Sequence, residues 1–411
     1  MPGSADYPRL RSQQQQALSV LLGKLTASNA FYGPRIRAAG LAREDVTLDD
    51  FCAAMPVTTR EDWAQDQIDH PPFGTNLTYP ESAYIRFCRT SGSTGRPMTW
   101  LDTRESWAGL LDSWGRVFAA VGLVKPTRIF FAFSFGPFLG FWTAYEAATK
   151  FNHLCIPGGG LPSEARLHLL MDTQAEVLCC TPTYAIRLAH VAAEKGIDLA
   201  QSGVRSIIVA GEPGGSLPAV RAQISEAWPG AQVYDHHGMT EVGPVTYQCP
   251  AEPGVLHVME NAYLAEVVDD ELLLTTLLRD GSPLLRYRTG DVVQAERHEP
   301  CACGSHELRL VGGIRARKDD MVVIRGVNVF PAAVDEIVRS VPGIVEYQVR
   351  ISQPEDLPEL TVLIEAPDGE ATAERLHRSL QGGLCLRIPV ELAEAGSLPR
   401  FELKAKRWIR C

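Results

Sequence analysis

Through the middle of the chain, short apolar runs alternate with longer stretches whose apolar positions recur every three or four residues. The runs at 128–134, 176–180, 206–211 and 231–234 read as buried strands, and the stretches at 139–151, 164–172, 183–195 and 217–228 as helices. That alternation predicts a largely parallel sheet covered by helices on both faces. Ligands of such sheets bind beyond the carboxyl ends of the strands. Two polar, glycine-bearing segments fall there: Gly211-Glu212-Pro213-Gly214-Gly215 and Asp235-His236-His237-Gly238.

The texture changes on either side. Residues 10–60 read as polar helices, with Gln13 to Gln16 forming an exposed face. Between 245 and 310 the pattern becomes β, with strands expected at 271–276 and 284–288 and a Gly/Pro/Cys-rich link at 299–305. After Arg317 a smaller unit reads as helix (332–340), strand (345–351), strand (359–366), helix (371–381) and an irregular basic tail. The expected fold is therefore α/β. A large N-terminal domain (1–317) carries mostly parallel sheets flanked by helices plus a β-rich subdomain, and a small α+β C-terminal domain (318–411) follows a boundary near Lys318-Asp319. There is no internal repeat.

Composition narrows the classes of function. A chain of 411 residues, 45% hydrophobic and 21% charged, has enough apolar material for two or three subdomains. Its net charge of −10 argues against nucleic acid as a partner, because phosphate backbones are gripped by Lys/Arg surfaces. No apolar stretch is long enough for a membrane span; 130–141 is interrupted by Gly136 and Pro137. The first residues lack a basic-then-apolar signal, so a cytoplasmic location is expected. Most of the ten cysteines should then be reduced, with Cys155, Cys179 and Cys180 as small core residues.

The candidate chemistry begins at Arg89-Thr90-Ser91-Gly92-Ser93-Thr94-Gly95-Arg96-Pro97. Glycines let consecutive backbone N–H groups turn inward and hydroxyls add donors, so such a loop can wrap a polyphosphate. No Gly-Lys-Ser/Thr closes it, so it is not the common P-loop. Further along, Tyr234-Asp235-His236-His237-Gly238-Met239-Thr240-Glu241 ends a strand with carboxylates and imidazoles. Tyr287-Arg288-Thr289-Gly290-Asp291 ends another with a carboxylate suited to a ribose diol. Arg317-Lys318-Asp319-Asp320-Met321, then Arg325-Gly326-Val327-Asn328-Val329-Phe330-Pro331, and Leu398-Pro399-Arg400 through Lys404 complete the set. Each piece has a plainer reading. Glu241 could serve a helix N-terminus, Asp291 a turn, and Lys404 a solvated tail.

Taken in order, these motifs resemble the adenylate-forming enzymes (acyl-CoA synthetases, adenylation domains and luciferases), and within them the phenylacetate-CoA ligase branch. The resemblance covers essentially the whole chain. It implies ATP-dependent activation of a carboxylic acid to an acyl-adenylate, followed by transfer to coenzyme A. It implies that Thr90, Ser91, Gly92, Ser93, Thr94 and Gly95 form the phosphate loop. Gly211, Glu212 and Pro213 would line the adenine, with Asp235, His236 and His237 near the base. Thr240 would touch the α-phosphate and Glu241 would hold Mg²⁺. Asp291 would take the ribose hydroxyls beside Arg317. Lys404 would be the mobile catalytic lysine. The C-terminal unit would swing about Asp319, presenting Arg325 and Gly326 to coenzyme A. Three positions depart from the branch: His237 replaces a tyrosine, Ala316 a glycine and Leu403 a glycine.

Cys301-Ala302-Cys303 sets two thiols in a tight turn, and Cys249 and His257 lie upstream. Three sulfurs and an imidazole would make a tetrahedral structural Zn²⁺ site, with His298 and His306 as competing imidazoles and free thiols as the alternative. Some members of the resembled branch carry such a site. The acid should lie near Phe135, Gly136, Phe141, Gly238 and Met239, with Ser134, Gly211 and His236 close by. Phe135 and Phe141 would suit a small aromatic acid, or simply belong to an aromatic core. A carrier-protein phosphopantetheine or an amine is the alternative acceptor, a degenerate nucleotide-binding homologue the non-enzymatic alternative. A homodimer is left open.

Overall fold

The computed structural model describes residues 7–90, 97–123, 125–133, 135–297, 300–324, 327–352, 358–384, 386–401 and 405–411. An antiparallel hairpin of β1 (Tyr84–Arg89) and β2 (Thr99–Thr103) precedes the predicted parallel sheet. That sheet contains β3 (Arg128–Phe131), β4 (Leu154–Pro157), β5 (Val177–Cys180), β6 (Ser206–Val209) and β7 (Gln232–Asp235), in the order β4-β3-β5-β6-β7. All neighbouring pairs are parallel, and the register Cys180↔Val209↔Asp235 aligns the carboxyl ends along one edge.

The strands read as unbroken apolar runs because both faces are covered. Phe131, Cys179 and Ile208 enter one core, and Phe130, Leu178 and Ile207 the other. Helices Leu139–Lys150, Ser163–Asp172, Pro182–Glu194 and Pro218–Ala227 lie within a residue or two of expectation. Their ends follow local chemistry. Thr181 accepts from Tyr184 N with Pro182 in the first turn. In the preceding helix, Arg104–Val121, Thr103 caps the start and Gly122 (φ 86°) the end.

Beyond β7, a short hairpin of β8 (Gly238–Met239) and β9 (Gly243–Pro244) leads into two four-stranded antiparallel sheets. One contains β10 (Thr246–Gln248), β11 (Val255–Val258), β15 (Ala295–Glu296) and β16 (Arg309–Val311). The other contains β12 (Tyr263–Val268), β13 (Glu271–Thr276), β14 (Tyr287–Val292) and β17 (Ala316–Arg317). The strand expected at 284–288 begins instead at Tyr287. Arg286 sits at φ 45°, held there by Glu266 and by Met55 O, and this left-handed residue ends the loop before the ladder starts.

The glutamine run is a second correction. Gln14 is buried, and its Nε2 donates to Glu260 O and Tyr263 O at 3.0 and 2.9 Å, docking helix Tyr7–Ser28 on the β-rich region. Gln15 bonds Val46 O and Leu48 N, so only Gln13 and Gln16 are exposed.

The C-terminal residues have their own core, including Val334, Val338, Val349, Val362, Leu376 and Leu380. A small hairpin, β18 (Val322–Ile324) and β19 (Val327–Val329), leads to helix Pro331–Ser340. Next come β20 (Glu346–Ser352), β21 (Glu359–Glu365) and helix Glu370–Leu384. The basic tail is not wholly irregular, because β22 (Val390–Leu392) and β23 (Trp408–Arg410) flank β21 and β20 in parallel. Among the described residues no helix is long and apolar enough to cross a membrane.

Glu365 anchors the tail. Its carboxylate accepts from Arg400 at 2.6 and 3.1 Å and from Gly396 N and Leu398 N. The Arg400 hydrogen bond, then these backbone donors, hold its pKa down at about 2, against an ordinary value of 4.5. A depressed carboxylate stabilises the fold above its unfolded pKa and loses that contribution as pH falls from 4.5 towards 2. Glu365→Gln should destabilise the protein by about 2 kcal/mol at neutral pH. In denaturant titrations that difference from wild type should shrink steadily below pH 4.5.

Candidate active site

The elements that carry the motifs meet at the carboxyl edge of the parallel sheet, and a buried ion pair joins two of them. Arg279 (2% exposed) donates Nε and Nη2 to the two oxygens of Asp102 (0% exposed), each at 2.7 Å. Its Nη1 donates to Thr240 O and Glu241 O at 2.9 and 2.8 Å. Asp102 lies in β2, so the strand that leaves the hydroxyl-rich loop is tied directly to the Thr240–Glu241 turn. Thr90 frames that loop at its base: Thr90 N donates to Met98 O and Met98 N to Thr90 Oγ1, both at 2.9 Å. Ser91, Gly92, Ser93, Thr94 and Gly95 lie outside the described residues. Thr240 and Glu241 occupy the turn between β8 and β9, which removes the plainer reading of Glu241 as a helix-terminal charge.

Asp291 is not a turn residue either. It sits in β14 at 1% exposure. Oδ1 accepts from Arg317 Nη1 at 3.0 Å, and Oδ2 lies 3.1 Å from His237 Nε2. Burial favours the neutral acid, but the charges of His237 and Arg317 outweigh it and hold the Asp291 pKa below the ordinary value. Arg317 also donates to Asp319 at 2.8 Å. Burial opposes the Arg317 charge too, yet Asp291, Asp319 and Glu241 together push its pKa up. Thr240–Glu241, Asp291, Arg317 and His237 therefore belong to one electrostatic neighbourhood, although the chain separates them widely.

The segment 211–216 follows β6. Asp235, at the end of β7, supports it from below: its carboxylate accepts from Ser216 Oγ and from His236 N. A Cβ at Gly215 would lie 2.3 Å from Asp235 Oδ1, so only glycine allows the loop to cross there. Glu212 is committed on both oxygens, to Thr183 N at 2.9 Å and Ala405 N at 3.2 Å. His236 is buried against Trp114, with ring centroids 4.5 Å apart, and its Nδ1 lies 2.7 Å from Thr246 O. A carbonyl only accepts, so Nδ1 carries the proton and Nε2 is left as an acceptor. Burial lowers the His236 pKa to about 4, so the ring is neutral at pH 7.

Phe141 stacks on Phe133 (4.5 Å), and Phe135 (φ 33°) packs edge-on to Trp142 and Tyr145. Gly136 O accepts from Trp142 Nε1 at 2.9 Å, and Arg89 N reaches Pro137 O, linking this loop to the base of β1. Met239 packs on the same core, next to Gly238. Arg325, Gly326, Lys404, Ser134 and His298 lie outside the described residues. The C-terminal unit meets the body through polar contacts: Ala219 N to Glu336, Arg339 to Gln223, and Arg407 to Thr183. A cleft of 720 Å³ lies between the two and is lined by Arg187, His190, Arg400 and Arg407 among others.

Cys249, His257, Cys301 and Cys303 come together, with ligand atoms all within 4.8 Å of one another. Cys249 and Cys301 sulfurs are 3.8 Å apart, too far for a disulfide, and Cys303 Sγ is 3.3 Å from His257 Nε2. Thiolates around a tetrahedral zinc with bonds of about 2.3 Å would lie about 3.8 Å apart. His257 Nδ1, 3.3 Å from Glu307 O, is placed to donate outward and leave Nε2 for a metal. His306, the rival imidazole, is not in the cluster.

Sequence motifs did not single out Asp102 or Arg279. The available signal was a carboxylate directly after the mostly apolar run Met98–Leu101, but nothing local marks its partner. Asp102→Ala leaves a buried guanidinium unpaired and should cost about 3–5 kcal/mol in chemical denaturation. Asp102→Asn keeps an acceptor and should cost less, while any catalytic rate that depends on the Thr240–Glu241 turn falls in the same order.

Residues 326–410 match the family model described as AMP-binding enzyme C-terminal domain. The chain is 27% identical over 430 residues to a phenylacetate-coenzyme A ligase of Thermus thermophilus, covering 96% of this chain and 94% of that one. It is 27% identical over 433 residues to the Escherichia coli enzyme of the same name, covering 98% and 95%. Among solved structures, 2-hydroxyisobutyryl-CoA ligase in its postadenylation state matches with a TM-score of 0.92 at 26% identity, covering 100% of this chain and 91% of that one. The same ligase in its thioesterification state matches with a TM-score of 0.74 at 27% identity, covering 99% and 91%. Motif order, fold and these likenesses agree: over its whole length the chain is similar to the adenylate-forming enzymes, and among them to the phenylacetate-CoA ligase-like branch.

Proposed function

We propose that this protein is an AMP-forming acid–CoA ligase whose nucleotide site is the neighbourhood of Thr90, Thr240, Glu241, Asp291 and Arg317. The observation that carries this is the junction of Asp102 and Arg279, which ties the phosphate-loop hairpin to the Thr240–Glu241 turn. A carboxylate oxygen of the acid attacks the α-phosphorus of ATP, the bond to pyrophosphate breaks, and an acyl-adenylate forms. The thiolate of coenzyme A then attacks the acyl carbon and AMP leaves. The protein contributes position and charge neutralisation. Asp291 takes the ribose diol, Thr240 the α-phosphate, and the 211–216 loop, held by Asp235, lines the adenine. Glu241 would hold Mg²⁺, a hard cation that would offset the charge of the phosphates. Lys404 neutralises the α-phosphate and acyl carboxylate in the first step. The cytoplasm is the proposed compartment.

The C-terminal unit from about residue 318 is proposed to swing about Asp319 between the two half-reactions. Its separate core and polar contacts with the body support this, as does the difference between the two matches to states of one ligase, 0.92 and 0.74. The acid is proposed to be aromatic, received near Phe135, Gly136, Phe141, Gly238 and Met239. The likeness to a 2-hydroxyisobutyryl-CoA ligase favours a small hydroxy acid as the second candidate. The Cys249/His257/Cys301/Cys303 cluster is proposed to hold a structural zinc.

Incubation with ATP, Mg²⁺ and a panel of aromatic and short hydroxy acids, with and without coenzyme A, should release pyrophosphate and give one CoA thioester by mass spectrometry. Thioester absent with every acid, alongside acylation of a carrier protein or amine, rejects the ligase reading. Lys404→Ala should lower pyrophosphate release about 100-fold or more while ATP affinity changes less; an unchanged rate removes the lysine from the reaction. Protein purified without added metal should contain about one zinc per chain by elemental analysis, and Cys303→Ser should reduce that occupancy and the thermal midpoint.

A further inference from the structure

His237 stands where the resembled branch has a tyrosine, yet its ring nitrogen faces a carboxylate. Nε2 lies within ion-pair distance of Asp291 Oδ2, at 3.1 Å, and both atoms are buried without a hydrogen-bond partner among the described residues. The His237 backbone is fixed on both sides: N donates to Thr246 Oγ1 at 2.9 Å, and O accepts from Val245 N and Thr246 N. The ring is thus aimed by the strand that follows, not by a mobile loop. A carboxylate offers about four lone-pair positions. Arg317 occupies one on Oδ1 and His237 faces one on Oδ2, which leaves one on each oxygen for a vicinal diol. The two partners differ in their attachments. Arg317 also grips Asp319, the proposed hinge, whereas His237 is tied to β10 through Thr246.

We propose that His237 is the positioning residue for Asp291, setting the carboxylate plane so that it receives the 2′- and 3′-hydroxyls of a ribonucleotide. This rests on the adenylating reading of the site and assigns the histidine to sugar selection. Its role is then distinct from that of an aromatic ring whose only contribution is a π-face for adenine. It also keeps one cationic or N–H partner on Asp291 whatever the hinge does to Arg317.

Two substitutions separate the roles. His237→Phe keeps the aromatic face and loses the N–H; His237→Gln keeps an N–H near the Nε2 position and loses the face. Binding of ATP and 2′-deoxy-ATP is measured by calorimetry without acid substrate, and KM and kcat by pyrophosphate release, with thermal midpoints as a folding control. His237→Phe should weaken ATP about tenfold and 2′-deoxy-ATP much less, collapsing the discrimination between them, with the change in KM larger than in kcat. His237→Gln should restore most of that discrimination. The reverse order, Phe matching wild type and Gln weakening both nucleotides, overturns the proposal in favour of stacking. Equal losses for both nucleotides in both variants overturn it in favour of a merely structural role. Failure of the wild-type protein to bind either nucleotide sinks the adenylating reading, and this inference with it. Normal wild-type behaviour with either unfavourable variant pattern sinks the inference alone.

Discussion

The site depends on a guanidinium buried where water cannot reach it. Desolvating Arg279 and Asp102 is costly, and an ion pair in a protein interior repays that cost only when geometry is good and the remaining hydrogen-bonding positions are satisfied. Here the carboxylate takes two parallel bonds and two main-chain carbonyls take Nη1. The carbonyls belong to the turn bearing Thr240 and Glu241, and the carboxylate to the strand leaving the hydroxyl-rich loop. A planar, five-donor cation can hold three chain segments at fixed angles; a lysine at this position could not.

A second constraint follows from charge. Asp291 is as buried as Asp102, but it is compensated from two sides by groups of unequal permanence. Arg317 is half shared with Asp319, and His237 is locked to the neighbouring strand. Glu241 lies within the same field and raises the Arg317 pKa with them. The result is a buried edge on which opposite charges lie close together.

The join between the large body and the C-terminal unit has a different character. Glu212, Ala219, Gln223 and Thr183 meet it through single polar contacts, whereas the apolar residues of the unit turn inward to their own core. Such a join can be exchanged for contacts with water at small cost, which is compatible with the proposed swing. The tail itself is secured separately, within the unit, by Glu365 and Arg400.

What the chain determined alone was whatever depends on neighbours in sequence. The parallel sheet follows from apolar runs spaced by helical periods, the helix starts from Thr181 and Thr103, and the motif order from residues a few positions apart. The Cys301/Cys303 turn was visible, but its complement, Cys249 and His257, was named with the help of the resembled branch, because the spacing alone is a weak signal. Legibility ended where a residue's state depends on distant groups. Arg286 breaks its strand because Glu266 and Met55 O hold it, and Gln14 is buried because two carbonyls some 250 positions away need a donor. His237 turns to Asp291, and Arg279 to Asp102, for the same reason. Removing a polar group from water is favourable only if a partner waits at the right distance, and only the folded chain supplies that partner.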